Sequence, residues 1–194
     1  MKNSKLTIGF AITGSFCTFR LVFEEIEKIA NEEIIIFPIM SEKSYEIDTR
    51  FGKASRFVEK FENITKKEVI HSLEEVEPIG PKRLFDVLII APCTGNTLAK
   101  IANGISDSCV TLAAKAHLRN NRPIVIAIST NDGLGTNAQN IGKLLNRKNI
   151  FFVPFKQDDP NLKENSLVAK MEMILPTIRK ALVGKQIQPI LLLN

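Results

Sequence analysis

The chain has 194 residues, 26 Lys and Arg against 21 Asp and Glu, and a formal net charge of +5. Hydrophobic residues make up 44% and charged residues 24%, which excludes a wholly disordered chain and suits one domain burying roughly 70% of the surface its unfolded form exposes. The apolar runs fall short of the ~18 residues that span a bilayer; Cys17, Cys93 and Cys109 form no CxxC pair, and Trp is absent, so membrane insertion, a zinc or disulfide framework and nucleic-acid binding all lack support.

The apolar stretch 6–12, preceded by Lys2 and Lys5, is too short for a signal peptide and runs into a helical pattern. A reduced, cytoplasmic protein is expected. Residues 6–12 read as a first strand, apolar on both faces as a buried parallel strand is. Phe19, Val22, Phe23, Ile26 and Ile29 then recur at helical spacing up to Asn31. Residues 33–40 predict a second strand, with Pro38 implying a bend or an irregular edge. Residues 41–54 read as polar and irregular, and 55–62 as a helix. Thr65-x-x-Glu68 and Ser72-x-x-Glu75 both fit a capping box. A short edge strand is expected at 68–71, followed by a helical turn ending before Pro78.

Residues 85–91 predict a strong buried strand, and 96–102 and 107–118 two helices separated by Asn103-Gly104. A strand at 123–128, a helix at 137–146 and a strand at 150–153 follow. After a polar loop, Leu167, Met171, Ile174, Ile178 and Leu182 form an apolar stripe that predicts a C-terminal helix over 166–183, ended by Gly184. Strands alternating with helices imply an α/β fold: one domain, its parallel sheet covered on both faces.

In such sheets ligands sit beyond the carboxyl ends of the strands. Three strand exits are rich in small and polar residues. Thr13-Gly14-Ser15-Phe16 could approach a phosphate closely, or be a plain turn capped by Ser15 or Thr18. Cys17 beside it is expected to be a small buried filler. Pro92-Cys93-Thr94-Gly95-Asn96-Thr97 offers more polar groups than one helix cap needs. Ser129-Thr130-Asn131-Asp132-Gly133-Leu134-Gly135 is long and hydrogen-bonding, and could equally be a solvated loop with an Asx turn. Arg50, Lys53 and Arg56 could meet an anion or form solvated surface. Neither His71 nor His117 has the spacing of a metal site, and no catalytic triad is readable.

Thr13-Gly14-Ser15, the run Asp86-Val-Leu-Ile-Ile-Ala-Pro-Cys-Thr-Gly-Asn-Thr-Leu-Ala-Lys-Ile-Ala-Asn-Gly-Ile-Ser-Asp107 and the Asn131 loop together resemble the flavoprotein family of homo-oligomeric flavin-containing decarboxylases. The resemblance implies a three-layer Rossmann-like fold with a six-stranded, mostly parallel sheet, FMN at a trimer interface, and often a dodecamer. By matching position it implies Thr13, Gly14, Ser15 and Phe16 at the phosphate, Ser41 after the second strand, Ala91, Thr94, Asn96 and Thr97 against the flavin ring, and Asn131 in place of the Asn of the decarboxylases' Pro-x-Met-Asn motif.

Other stretches resemble a narrower branch, the B subunits of the dipicolinate synthases of spore-forming bacteria. They are Asp48-Thr-Arg-Phe-Gly52, Glu77-Pro-Ile-Gly-Pro-Lys82, Leu118-Arg-Asn, Ser129-Thr-Asn-Asp-Gly-Leu-Gly135, Phe152-Val-Pro-Phe and Gln186-Ile-Gln-Pro189. The decarboxylases' His is replaced by the Glu77–Pro81 stretch, and their late Gly-x-x-Ala-Cys-Gly flap by Val153-Pro-Phe-Lys-Gln-Asp-Asp-Pro160. This branch implies an oxidoreductase that works with a dehydrogenase-like A subunit on a small dicarboxylate in the mother cell of a sporulating bacterium. The alternatives are a non-catalytic subunit that only organises its partner and, against the missing His and flap, a flavin-dependent decarboxylase or prenyltransferase. Arg50 and Lys53 are the expected carboxylate-binding residues, Arg50 because its planar fork can grip a carboxylate twice. No metal ligand and no catalytic acid or base is assigned.

Overall fold

The computed structural model describes residues 5–193. Five strands, β1 (Thr7–Ile12), β2 (Ile35–Met40), β3 (Val87–Cys93), β4 (Ile124–Thr130) and β5 (Ile150–Phe152), run parallel in the order β2-β1-β3-β4-β5. Two more, β6 (Phe155–Asp159) and β7 (Lys163–Ala169), form an antiparallel hairpin joined to the end of β4 by Ser129↔Val168 and Thr130↔Leu167. The α/β architecture expected from the strand–helix alternation is present, with seven strands rather than six.

The central strands are apolar throughout because helices cover both faces; every residue of β3 is buried. α1 (Phe19–Ala30), α3 (Ala54–Thr65) and α9 (Ile174–Leu182) pack side by side. α7 (Cys109–Arg119) lies on β2, β3 and β4 beside α6 (Gly95–Ala102), which also touches α8 (Ala138–Leu145). The crossover from β2 to β3 wraps the sheet edge: α3 packs on α1, whereas the short α4 (Leu73–Val76) and α5 (Ile79–Lys82) pack on α7. Phe19, Phe23, Phe57 and Phe61 make edge-on or stacked contacts between α1 and α3. Gly9 in β1 leaves room for Phe85, whose ring would lie 2.5 Å from an added Cβ.

Several expectations change on contact with the fold. Residues 41–54 are not wholly irregular: Ser41 caps a short α2 (Glu42–Glu46), accepting from the Ser44 amide at 3.4 Å. Thr65 does not open a helix but closes α3, its hydroxyl donating to the Phe61 carbonyl at 2.8 Å. The capping box at Ser72 and Glu75 is present. The edge strand at 68–71 shrinks to a single bridge, Ile39↔Ile70. There the Ile70 amide donates to the Pro38 carbonyl, and Pro38, lacking an N–H, takes the outer edge of the sheet without losing a ladder bond.

The largest correction concerns the helix expected over 166–183. Residues 163–169 are β7, and regular helix begins only at Ile174 after a 3-10 turn at Met171–Met173. Leu167 and Met171 share helical spacing by coincidence; Leu167 is buried through strand pairing, packed against Gly133. The polar stretch before it is the other half of the hairpin, with the exposed, polar alternation of a solvated edge.

His117, on α7, is 2% exposed. Its Nε2 has no hydrogen-bond partner, and burial pushes its pKa down to about 4. The folded protein therefore keeps His117 neutral below pH 6.5, where an unfolded chain takes up the proton. The resulting stability is complete above pH 6.5 and is lost as the pH falls to about 4, a change on the order of 3 kcal/mol. Urea titrations at a series of pH values should show this fall, and it should flatten in His117→Gln.

Candidate functional site

A cleft of about 860 Å³ opens at the carboxyl ends of β1, β3 and β4, the place where open α/β sheets bind ligands. Gly14, Ser15, Cys17, Thr94, Gly95, Ser129, Thr130 and Asn131 line its strand-exit side. Lys156, Lys163, Ser166, Leu167 and Lys170 line its hairpin side. Its volume is near the top of the ~300–1,000 Å³ range typical of small-molecule sites.

The floor is fastened by Thr13. Its hydroxyl donates to the Pro92 carbonyl at 2.7 Å and accepts from the Thr94 amide at 3.0 Å, while its own amide donates to Pro92 at 3.2 Å. Thr13 is 1% exposed, so it joins two strand exits rather than presenting a group to the cleft. Ser15 behaves differently. It precedes a 3-10 turn (Phe16–Thr18) leading into α1 yet makes no side-chain cap bond, and Thr18 likewise caps nothing. The Ser15 hydroxyl instead meets the Ser129 hydroxyl at 2.7 Å, across 114 residues of sequence. Gly14 has open space in front of it: an added Cβ would meet only the Phe16 ring, at 3.6 Å.

Thr94 caps α6 by accepting from the Thr97 amide at 3.3 Å. The third loop is held from inside. Asp132 accepts from Thr130 Oγ1 at 2.6 Å and from Asn137 Nδ2 at 2.8 Å, and Asn140 donates to Asn137 at 3.0 Å. A Cβ on Gly95 would stand 2.5–2.7 Å from Asn137, Thr130 and Asp132, and one on Gly133 would strike Leu167 at 2.6 Å. These two glycines clear space for neighbouring side chains. Asn131 is exposed at the cleft, with Ser166 Oγ 3.5 Å from its Oδ1.

The expected site residues thus divide. Gly14, Ser15, Thr94 and Asn131 line one cleft. Phe16 is outside the cleft walls and packs on Phe19. Thr97 is buried and bonded to Thr94, and Ala91 is fully buried within β3. Asn96 is exposed on the first turn of α6, and Ser41 caps α2; neither belongs to the cleft walls. Arg50 and Lys53 also lie outside those walls. Arg50 stacks over Phe51, 4.9 Å from the ring centroid, and the Asp48 carboxylate that could have paired with it accepts from the Ala54 amide instead. Cys17, expected to be buried, is exposed in the cleft, 3.7 Å from Ser15 Oγ. Cys93 and Cys109 are buried, and burial raises both thiol pKa values.

The cleft lysines are not found by sequence reasoning. Lys156 sits on β6, Lys163 opens β7 and Lys170 follows β7 directly, where the residue pattern predicts polar loop and helix; the alternation Phe155-Lys-Gln-Asp-Asp159 is the signal that could have found Lys156. Among the described residues no group of three or more His, Cys, Asp and Glu is placed to hold a metal, and no helix is long and apolar enough to cross a membrane.

The model of the family described as "Flavoprotein" matches residues 1–183. The chain is 50% identical, over 187 residues, to the B subunit of dipicolinate synthase from Bacillus subtilis (strain 168), covering 96% of this chain and 94% of that one. The crystal structure of the dipicolinate synthase B subunit from Bacillus halodurans superposes with a TM-score of 0.90 at 43% identity, covering 100% of both chains. A dodecameric FMN-dependent UbiX-like decarboxylase from Escherichia coli O157:H7 shares the fold alone, with a TM-score of 0.62 at 20% identity over 77% of this chain and 80% of that one.

Thr13→Val keeps the shape of the Thr13 side chain but leaves the half-buried Thr94 amide without its acceptor, and should cost about 1–3 kcal/mol. Chemical denaturation should show a lowered midpoint with an unchanged slope, and Thr13→Ser should recover most of the loss.

Proposed function

Because the chain belongs to the flavoprotein family, we propose that it is the FMN-carrying B subunit of a dipicolinate synthase, taking part in the oxidation of a dihydropyridine dicarboxylate to pyridine-2,6-dicarboxylate. The observation that carries the reading is the cleft itself. A glycine with open space before it and a serine hydroxyl free of capping duties stand at the 3-10 turn that leads into the twelve-residue α1, and the Ser129 hydroxyl at the end of β4 meets that serine. This arrangement suits the phosphate of a flavin mononucleotide. Similarity to the two dipicolinate synthase B subunits over nearly the whole chain supports this reading over the other activities of the family.

The residues present fit FMN. Gly14 and Ser15 would hold the phosphate, and Thr94 and Asn131 would border the ring. Asn96, Thr97, Ala91 and Ser41 do not open into this cleft, so any part they take would be through backbone placement or through a neighbouring copy. Bound FMN would supply a two-electron acceptor, and aromatising a dihydropyridine releases one hydride equivalent and one proton. This chain's part is to hold the substrate ring against that acceptor and exclude water. We further propose a homo-oligomer, a trimer or a dodecamer, since Asn96 and Ser41 lie outside the cleft of a single chain and the similar Escherichia coli decarboxylase is a dodecamer. The proposed partner is the dehydrogenase-like A subunit of the same synthase.

The protein purified without added cofactor should be yellow, with flavin absorption bands; a colourless protein that takes up no FMN on incubation would sink the cofactor assignment. Gly14→Asp places a side chain and a like charge where the phosphate is held, so its FMN content should fall at least tenfold while its far-ultraviolet spectrum is unchanged. Light scattering at micromolar concentration should give at least three times the mass of one chain.

A further inference from the structure

Lys156 and Lys170 belong to the hairpin that forms the outer wall of the cleft. Residue 156 pairs with residue 168, and the Lys170 amide donates to the Pro154 carbonyl. The two lysines therefore share one face of the hairpin, as diagonal neighbours rooted about 7–8 Å apart. Neither has a carboxylate partner among the described residues. The third cleft lysine differs: Lys163 is held by Asp158 at 2.7 Å, which neutralises both. The remaining acid on this wall, Glu172, is exposed. The wall thus presents two uncommitted ammonium groups, facing a strand-exit side of hydroxyls, amides and the Cys17 thiol with no Asp, Glu, Lys or Arg among them.

We infer that Lys156 and Lys170 are the specificity-determining cations of the cleft, each taking one carboxylate of a small planar dianion. Two point charges on flexible stems rooted a side chain's length apart can reach two carboxylates that flank the nitrogen of one ring; a single carboxylate can engage only one of them at full strength. The Gly14–Ser15 phosphate position lies at the other side of the cleft, so an anion bound by the lysines does not compete with it. The hairpin is also the feature that replaces the decarboxylases' substrate flap in sequence, so a change of substrate and a change of wall coincide. This assignment rests on the reading of the cleft given above, and it replaces Arg50 and Lys53, which stand outside the walls.

The test uses the full-length protein loaded with FMN, titrated calorimetrically with pyridine-2,6-dicarboxylate and with pyridine-2-carboxylate. Wild type should bind the dicarboxylate more tightly. Lys156→Gln and Lys170→Gln should each weaken it about tenfold, narrow its advantage over the monocarboxylate and leave FMN content unchanged. Lys156→Arg should restore most of the affinity. Dicarboxylate affinity unchanged in both Gln variants overturns the inference. So does weakened dicarboxylate binding in Arg50→Lys with both cleft variants unaffected, or loss of FMN in the cleft variants with dicarboxylate binding intact. The same titration on FMN-free protein separates this inference from the flavin reading: a protein that takes up no FMN yet binds the dianion through these lysines sinks the cofactor and keeps the cations.

Discussion

One buried hydroxyl sets the geometry on which the cleft depends. Thr13 stands where β1 ends, and its three hydrogen bonds to Pro92 and Thr94 fix the exit of β1 against that of β3. A buried polar group is tolerated only when paired, and here each pairing bond also positions the backbone of a loop that lines the site. With those two exits locked, Ser15 and Thr94 have no freedom to separate. The Ser15–Ser129 hydroxyl contact then extends the same frame to the exit of β4. Three loops distant in sequence become one surface through a few short hydrogen bonds, with the apolar sheet beneath supplying the rigidity.

The second constraint is the division of labour along β4. Its first half pairs with β5 through Ile124–Ile126, and its last residues pair with β7 through Ser129 and Thr130. A strand can have only one neighbour on each side at any point, so β5 must end where β7 begins. The chain leaves β5 at Phe152, turns through Val153 and Pro154, and folds into the hairpin that becomes the cleft's outer wall. Had β5 run on to the end of β4, the sheet would continue flat and the strand exits would open directly to solvent. The wall is held by its pairing with β4, by Leu167 packed into the space Gly133 leaves, and by the Leu134 amide donating to Asn165.

The core strands and most helices are legible in the sequence because their burial is complete: an apolar run at β1 or β3, or a helical stripe at α1, admits one arrangement. The hairpin is not legible for the converse reason. Its residues alternate polar and apolar at a solvated edge, and the Leu167–Met171 spacing matches a helix by chance. Site residues divide along the same line. Gly14, Ser15, Thr94 and Asn131 sit at strand exits whose position follows from the fold class, and the structure brings them together. Arg50 is favoured by the resemblance of its surrounding stretch and by its charge, but the path of a loop between two surface helices is not written in composition, and in the fold Arg50 lies over Phe51.

The glycines also change meaning once the structure is known. Gly95 and Gly133 belong to two strand-exit loops whose polar residues offer, from sequence, a ligand surface. In the fold each stands against side chains of its own chain, Gly95 against the Asp132–Asn137–Thr130 cluster and Gly133 against Leu167. Of the glycines at these strand exits, Gly14 has space in front of it. The loop after β4 is therefore stiffened from within by Asp132, whose carboxylate takes up Thr130 and Asn137, and it presents Asn131 outward from a fixed base. A cleft built this way has a rigid strand-exit side, set by hydrogen bonds on the sheet, and an outer wall of flexible lysines on a two-stranded ribbon. Rigid hydrogen-bonded loops suit precise placement of a ring and lysines on flexible stems suit adjustable capture of charged groups, and the proposed function and its specificity rest on that division between elements.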